Sequence, residues 1–240
     1  MARTGGWHAG LADGSAPVSL PSMNPTWTCF LFDLDGTILD SAPGITSTLA
    51  WTFERLGRPI PTPLELLAYV GPPLLDSFRD LAGMTLEECT EALAVYRDHY
   101  LGHGVFGSTV YPGMPALLER IAASGIPLSL ATSKPELPAR TMLDHFGLTR
   151  YFDVITGASE DEVRSRKADV VAEALSRLDL IGADLSATVM IGDRKHDVHG
   201  AAEHGVPTIF VEWGYGSKAE QVGAIDFATT AEGLGRLLLG

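Results

Sequence analysis

The stretch Phe30-Leu31-Phe32-Asp33-Leu34-Asp35-Gly36-Thr37-Ile38-Leu39-Asp40-Ser41 sets the reading of the whole chain. Cys29 to Phe32 is apolar without alternation, which predicts a strand buried on both faces, as in a parallel sheet. This strand runs into two carboxylates spaced by two. Strand side chains repeat every second residue, so Asp33 and Asp35 leave its C-terminal end in the same direction. Gly36 permits a sharp turn directly after them. Two like charges so close repel, and each favours a neighbouring cation or a shared proton. A divalent metal suits that need, leaving one carboxylate as nucleophile and the other as acid or base. Taken alone, D-x-D-G also fits a turn carrying two solvated aspartates.

Beyond Ser41 the pattern is helical to about Leu101. Pro43 suits a first helical turn, and Ile45, Leu49, Thr52, Phe53 and Leu56 form one face before Gly57 stops it. Thr62 with Glu65, and Thr85 with Glu88, have the spacing of capping boxes. Gly71-Pro72-Pro73 breaks the helix that the first box opens, and Leu74, Leu75, Phe78 and Leu81 continue to Gly83. The second box opens a helix with Leu86, Cys89, Leu93, Tyr96 and Tyr100 on one stripe. Four helices without an intervening strand predict a small helical insert over 42–108. From Tyr111 onward helices and strands alternate. Strands are expected at 126–131, 152–156, 188–191 and 206–211, with helices at 168–178 and 197–204 and a weak strand and helix at the end. This alternation predicts an α/β fold with a doubly wound, Rossmann-like parallel sheet as its core. That core takes in 26–41 and 109–240, and its ligand crevice lies at the C-terminal ends of the strands.

The chain has 240 residues, 45% of them hydrophobic, enough to bury a full core. Its formal net charge of -13 argues against nucleic acid polymers or anionic membranes as partners. A phosphorylated substrate then needs local positive charge, so the four lysines, Lys134, Lys167, Lys195 and Lys218, are informative. Cys29 and Cys89 lack metal-ligand spacing and read as reduced core thiols, pointing to the cytoplasm. No apolar run approaches the ~20 residues that span a bilayer. Residues 1–25 are rich in Gly, Ala, Ser and Pro and lack the regions of a signal peptide. They read as a disordered tail, with Met23 as an alternative first residue.

Polar residues gather at the expected strand ends. Asp33 and Asp35 follow the first strand, Thr132, Ser133 and Lys134 the second, and Asp193 a later one, with Asp197 four residues on. Lys167 precedes a helix. An acidic cluster with a hydroxyl and an ammonium suits phosphoryl transfer through a hard, oxygen-ligated cation such as Mg²⁺ rather than Zn²⁺. Phe32-Asp33-Leu34-Asp35-Gly36-Thr37 with Asp40-Ser41 resembles the first motif of the haloacid dehalogenase-like superfamily of phosphohydrolases. Ala131-Thr132-Ser133-Lys134 resembles the second, Lys167 the third, and Gly192-Asp193-Arg194-Lys195-His196-Asp197 the fourth. Together the matches cover about 28 to 216. The family often shows Gly-Lys-Pro at the third motif, where this chain has Arg166-Lys167-Ala168. Lys167 is kept over Arg164 and Arg166 because a planar guanidinium replaces a point ammonium poorly.

The resemblance implies Asp33 as nucleophile and metal ligand, and Asp35 as acid and base with its backbone carbonyl on the metal. It further implies phosphate binding by the Thr132 hydroxyl, the Ser133 amide and Lys167, and metal binding or orientation by Asp193 and Asp197. The helical insert becomes a mobile cap that reads the leaving group. Lys134 is read as solvated or structural, and Arg194 as a partner for an acidic neighbour. The retained Asp35 counts against a dehalogenase, and the lack of any lysine between 41 and 110 against a phosphonatase. Tyr111-Pro112-Gly113 and Trp213-Gly214-Tyr215-Gly216 look most like the phosphoglycolate phosphatase group. The expectation is a Mg²⁺-dependent phosphatase of a small phosphorylated metabolite, acting as a monomer or homodimer through an aspartyl phosphate. A 5′-nucleotidase, a sugar-phosphate phosphatase, a phosphomutase and an inactive binding or regulatory module remain as alternatives. Arg55, Arg58, Arg79 and Arg97 are the cap cations available for a second anionic group, and at least one is expected to face the site.

Overall fold

Cys29–Phe32 forms β1, with all four residues buried. Its neighbours explain why the run is apolar on both sides. Phe30 and Phe32 join a cluster with Leu118, Ile121, Met142 and Leu234, while Cys29 and Leu31 join another with Val170, Val171, Ala174 and Ala201. Alternate side chains thus enter two helical layers, one on each face of the sheet.

The computed structural model describes residues 1–2, 27–161 and 163–240. The expected tail over 1–25 and the alternative start at Met23 lie outside the described residues, the first two excepted. After β1 come β2 (Leu39–Asp40), α1 (Ala42–Arg55), α2 (Pro63–Leu67), α3 (Leu74–Asp80), α4 (Leu86–Gly102) and β3 (Thr109–Val110). The alternating part follows as α5 (Met114–Ser124), β4 (Leu128–Pro135), α6 (Glu136–His145), β5 (Val154–Ala158) and α7 (Lys167–Leu180). It ends with β6 (Thr188–Gly192), α8 (Lys195–Ala202), β7 (Thr208–Val211), β8 (Asp226–Ala228) and α9 (Ala231–Leu239). None of the helices among the described residues is long and apolar enough to cross a membrane.

The six-stranded sheet has the order β5-β4-β1-β6-β7-β8, and every pairing is parallel. From β1 the chain moves outward through β4 and β5, then returns across the sheet to place β6 on the other side of β1. That reversal makes β1 the topological switch point, and the crevice opens at its carboxyl end. Both expected polar strand ends, those of β4 and β6, therefore flank Asp33.

Helices α1 to α4 fill the chain between β2 and β3, two short strands that pair antiparallel through Leu39↔Val110 and Asp40↔Thr109. Two residues carry no periodicity, so this stem has no signature in the sequence. Both capping boxes form, Thr62 with Glu65 and Thr85 with Glu88. Inside the helices Phe53, Tyr69 and Phe78 pack as a triad with ring centroids 6.0 to 6.1 Å apart. Such pairs add about 0.5–1.5 kcal/mol each beyond area burial. Leu81 and Leu86, expected on buried faces, are instead exposed. Both stand at helix ends, past the reach of the packed stripe.

Candidate active site

Asp33 continues the β1–β6 pairing by donating its N–H to Ile191 O at 2.9 Å, which sets it beside the end of β6. Asp193 follows β6, and Asp197 lies in the first turn of α8. Carboxylate oxygens of Asp33, Asp193 and Asp197 all lie within 4.8 Å of one another, and all three residues are buried. Lys167, the first residue of α7, reaches into this group. Its Nζ lies 2.8 Å from Asp33 Oδ1 and 2.7 Å from Asp197 Oδ1, and donates to Ala131 O at 2.9 Å. Arg194 N–H donates to Asp197 Oδ2 at 2.9 Å, so helix capping fixes the fourth carboxylate of the motif string.

Burial pushes the Asp33 carboxyl up to about 6, with Lys167 opposing and Asp197 and Asp35 adding to the rise. Burial likewise raises Asp193 well above the usual carboxylate range, reinforced by Asp197 and Asp33 and resisted by the Tyr215 N–H. Burial disfavours the Lys167 ammonium, yet Asp197 and Asp33 outweigh it and hold the group above its ordinary value. Ionising all three carboxylates against the one Lys167 ammonium would leave two negative charges uncompensated in this cluster.

That donor set fits a hard divalent cation such as Mg²⁺. The ligands are all oxygen, their excess charge is two, and Asp197 Oδ1 meets Lys167 without the alignment of a hydrogen bond. Asp193 is held in place from behind. Gly36 turns with φ +83°, and a Cβ there would sit 2.3 Å from Asp193 Oδ2. A Cβ on Gly214 would sit 2.4 Å from the same oxygen. Only glycine lets both backbones close on that carboxylate.

Asp35 leaves the sheet beside Asp33 but is not one of the three clustered carboxylates. It is ion-paired with Lys134, whose Nζ donates to Oδ1 at 3.1 Å and to Oδ2 at 2.9 Å. The same ammonium stands over the Tyr100 ring, 4.8 Å from its centroid. Of the two readings of Lys134, solvated or structural, the first is corrected: its side chain is 6% exposed and paired with Asp35. The reason is that β4 runs on to Pro135 with an irregular register after Ala131, which carries Lys134 inward. Thr132 is buried and its Oγ1 accepts from Lys134 N–H at 3.2 Å, while Ser133 is half-buried on the cavity wall.

Sequence reasoning assigned no role to two further residues. Thr37 Oγ1 donates to Asp193 Oδ1 at 3.3 Å. Tyr215 does more, since its N–H donates to Asp193 Oδ2 at 2.7 Å and its hydroxyl donates to Asp40 Oδ1 at 2.8 Å. That hydroxyl also accepts from Ser41 N–H at 2.7 Å and Ala42 N–H at 2.9 Å. Trp213 Nε1 donates to Thr37 O at 3.1 Å. The Trp-Gly-Tyr-Gly string thus joins the carboxylate cluster to the start of α1, a bridge over some 175 residues that no local pattern encodes. Tyr215→Phe strands two helix-start N–H groups and one carboxylate oxygen. It is expected to lower metal-free stability by about 1–3 kcal/mol, read as the urea midpoint at unchanged slope.

Arg194 pairs with Glu220 at 2.9 Å and also donates to Val70 O, tying α8 to the segment after α2. The four arginines over 42–108 separate. Arg58 pairs with Glu88, and Arg79 pairs with Asp76 and Asp80 on an exposed surface. Arg55 is exposed at the end of α1. Arg97 alone of the four lines the cavity that Asp35 opens into.

The fold and site define the class as a Rossmann-like parallel α/β protein with acidic side chains and two buried ammoniums, Lys167 and Lys134, at its switch point. The chain belongs to the haloacid dehalogenase-like hydrolase family, whose pattern matches residues 30–211. It is 42% identical over 186 residues to the tyrosine-protein kinase PtkA of Mycobacterium tuberculosis, which is 78% of this chain and 62% of that protein. The match thus spans less than two thirds of the mycobacterial relative. It is 38% identical over 190 residues to a 5′-nucleotidase of Pseudomonas aeruginosa, 79% of this chain and 85% of that one. Among solved structures, a haloacid dehalogenase-like family hydrolase from Streptococcus pneumoniae superposes with a TM-score of 0.78 at 30% identity. That superposition covers 87% of this chain and 97% of the other.

Proposed function

We propose that this chain is a Mg²⁺-dependent phosphomonoesterase that passes the phosphoryl group to Asp33 and then to water. The supporting observation is the division of labour within one motif. Asp33 lies in the carboxylate cluster under Lys167, while Asp35, two residues on, faces a separate cavity through Lys134. In the first step an Asp33 oxygen attacks phosphorus in line and the bond to the ester oxygen breaks, with Asp35 protonating the departing alkoxide. In the second step Asp35 takes a proton from water, which attacks the aspartyl phosphate, releases phosphate and restores Asp33. Asp35 must carry the proton when the ester bond breaks, so its ion pair with Lys134 has to loosen as substrate enters.

Lys167, the Thr132 hydroxyl and the Ser133 N–H hold the phosphoryl oxygens in this reading. Asp33, Asp193, Asp197 and the Asp35 carbonyl would hold Mg²⁺, which when bound adds positive charge against the phosphoryl oxygens. Tyr215 and Gly214 keep Asp193 oriented toward the cluster. Helices α1 to α4, over 42–108, act as a cap on the core of 26–41 and 109–240, hinged at the β2–β3 stem. Closure then excludes water until the aspartyl phosphate has formed. A phosphoglycolate phosphatase of Rhodospirillum rubrum, 34% identical over 221 residues, lends the monoesterase reading further support.

The test is phosphate release from a panel of phosphoglycolate, nucleoside monophosphates, sugar phosphates, a generic aryl phosphate and benzyl phosphate, with Mg²⁺ or with EDTA. Turnover of at least one monoester with Mg²⁺, lost in EDTA, is the expected result. Absence of release from every member under Mg²⁺ would sink the proposal.

A further inference from the structure

The cavity that Asp35 opens into has a volume of about 220 Å³ and lies between the cap helices and the ends of the core strands. Its inner end is Asp35 with Lys134; its walls are mainly apolar, with Leu74, Leu93, Tyr69 and Tyr96 among them. We propose that this cavity receives the leaving group, and that the preferred substrate is a phosphomonoester whose alcohol carries a single apolar or aromatic ring. This rests on the monoesterase reading given above and names its substrate class.

Three observations carry it. Position comes first: the group that protonates the leaving oxygen lines this cavity, so the alcohol's carbon skeleton can extend into it. Size comes next. An apolar cavity of roughly 150 Å³ accommodates benzene, so about 220 Å³ holds one ring and a short linker. Charge is the third. Two cations line the cavity, and both are engaged: Lys134 by both oxygens of Asp35, and Arg97 by a hydrogen bond to Glu160 O at 3.2 Å. Glu160 itself stands at the wall. A carboxylate such as that of glycolate would be desolvated against the mainly apolar walls, with Glu160 beside it. A ring loses nothing by entering. Tyr69 and Tyr96, both among the lining residues, supply aromatic surface for it to pack against.

Benzyl phosphate and ethyl phosphate both release alkoxides, so their comparison isolates the ring from leaving-group reactivity. With Mg²⁺, kcat/KM for benzyl phosphate is expected to exceed that for ethyl phosphate and for phosphoglycolate by at least about thirtyfold. Leu74→Asn, at a half-buried position that tolerates a polar group, is expected to bring the benzyl-to-ethyl ratio down by about tenfold. Calorimetric titration with benzylphosphonate and ethylphosphonate reads the same preference without turnover. Equal or better turnover of phosphoglycolate or ethyl phosphate would overturn the ring pocket and leave the monoesterase standing. Preferential binding of benzylphosphonate with no ester hydrolysed would support the pocket and overturn the monoesterase. Equal binding of the two phosphonates would overturn the pocket whatever the activity.

Discussion

Asp33→Asn is expected to abolish phosphate release, lowering kcat by on the order of 10⁴–10⁶-fold, while making the metal-free protein more stable above pH 6. The amide fits the same space and can still accept from Lys167, but it cannot form an acyl phosphate at a useful rate. The stability gain follows from the sign of the linkage. Burial raises the Asp33 carboxyl to about 6 in the folded chain, against an ordinary value of 3.8. Between those values the native state holds a proton that the unfolded state has lost. Metal-free stability therefore falls as pH rises from about 4 through about 6, and the loss is complete above that. Asn has no such proton, so its melting temperature should decline less across this window and exceed the parent's at pH 7.5. Mg²⁺ should then narrow the difference, because the parent's third carboxylate strengthens binding. A variant that keeps its activity, or that melts lower than the parent at pH 7.5, would refute the assignment of Asp33 as a strained nucleophile.

The catalytic strand was legible because it has to be buried on both faces, and Cys29 to Phe32 spells that out without alternation. The strand ends could be gathered for a similar reason: in a doubly wound sheet they must meet, so Asp33, Thr132 and Asp193 were placed together by topology alone. Contacts made by long side chains across the fold were not legible. Lys134 follows a strand end in the sequence and looks solvent-bound there. Its ion pair with Asp35 depends on β4 running four residues past the expected end at Ala131 and on the Tyr100 ring of α4 closing above it. Tyr215 was visible only as part of a resemblance, because its partners at Asp40 to Ala42 lie on the other side of the chain's length. Of the four arginines over 42–108, Arg97 reaches the cavity, as expected of at least one, and the rest stay outside it for an electrostatic reason. In a chain with 30 acidic residues and 17 basic ones, surface arginines such as Arg58 and Arg79 find local carboxylates before they find a site.

Lys167→Met tests whether the ammonium serves the fold as well as the chemistry. Methionine has nearly the length of the lysine stem, so the change removes charge and three donors with little loss of packing. It leaves Asp33 and Asp197 without their shared partner at 2.8 and 2.7 Å, in a cluster where Asp193 already repels both. Breaking one side of a buried ion pair costs about 3–5 kcal/mol, and that loss is expected in metal-free urea unfolding at pH 7.5. Two conditions should restore part of it. Mg²⁺ offsets the exposed carboxylate charge, and lowering the pH toward 5 protonates carboxyls that no longer have the lysine to keep them ionised. Phosphate release should fall by about 10³-fold even with saturating Mg²⁺, since a donor to the phosphoryl oxygens is gone. Lys167→Arg should not rescue it. The α8 backbone leans on this stem so closely that a Cβ at Gly200 would lie 2.8 Å from Lys167 Cβ and Cγ, and a planar fork cannot reproduce a point ammonium there. The two readouts separate the roles. Lost activity at unchanged stability would mean that the carboxylates are adequately solvated without the ammonium, confining Lys167 to catalysis. Lost stability with retained activity under Mg²⁺ would remove it from the phosphate site and leave it a structural counter-ion.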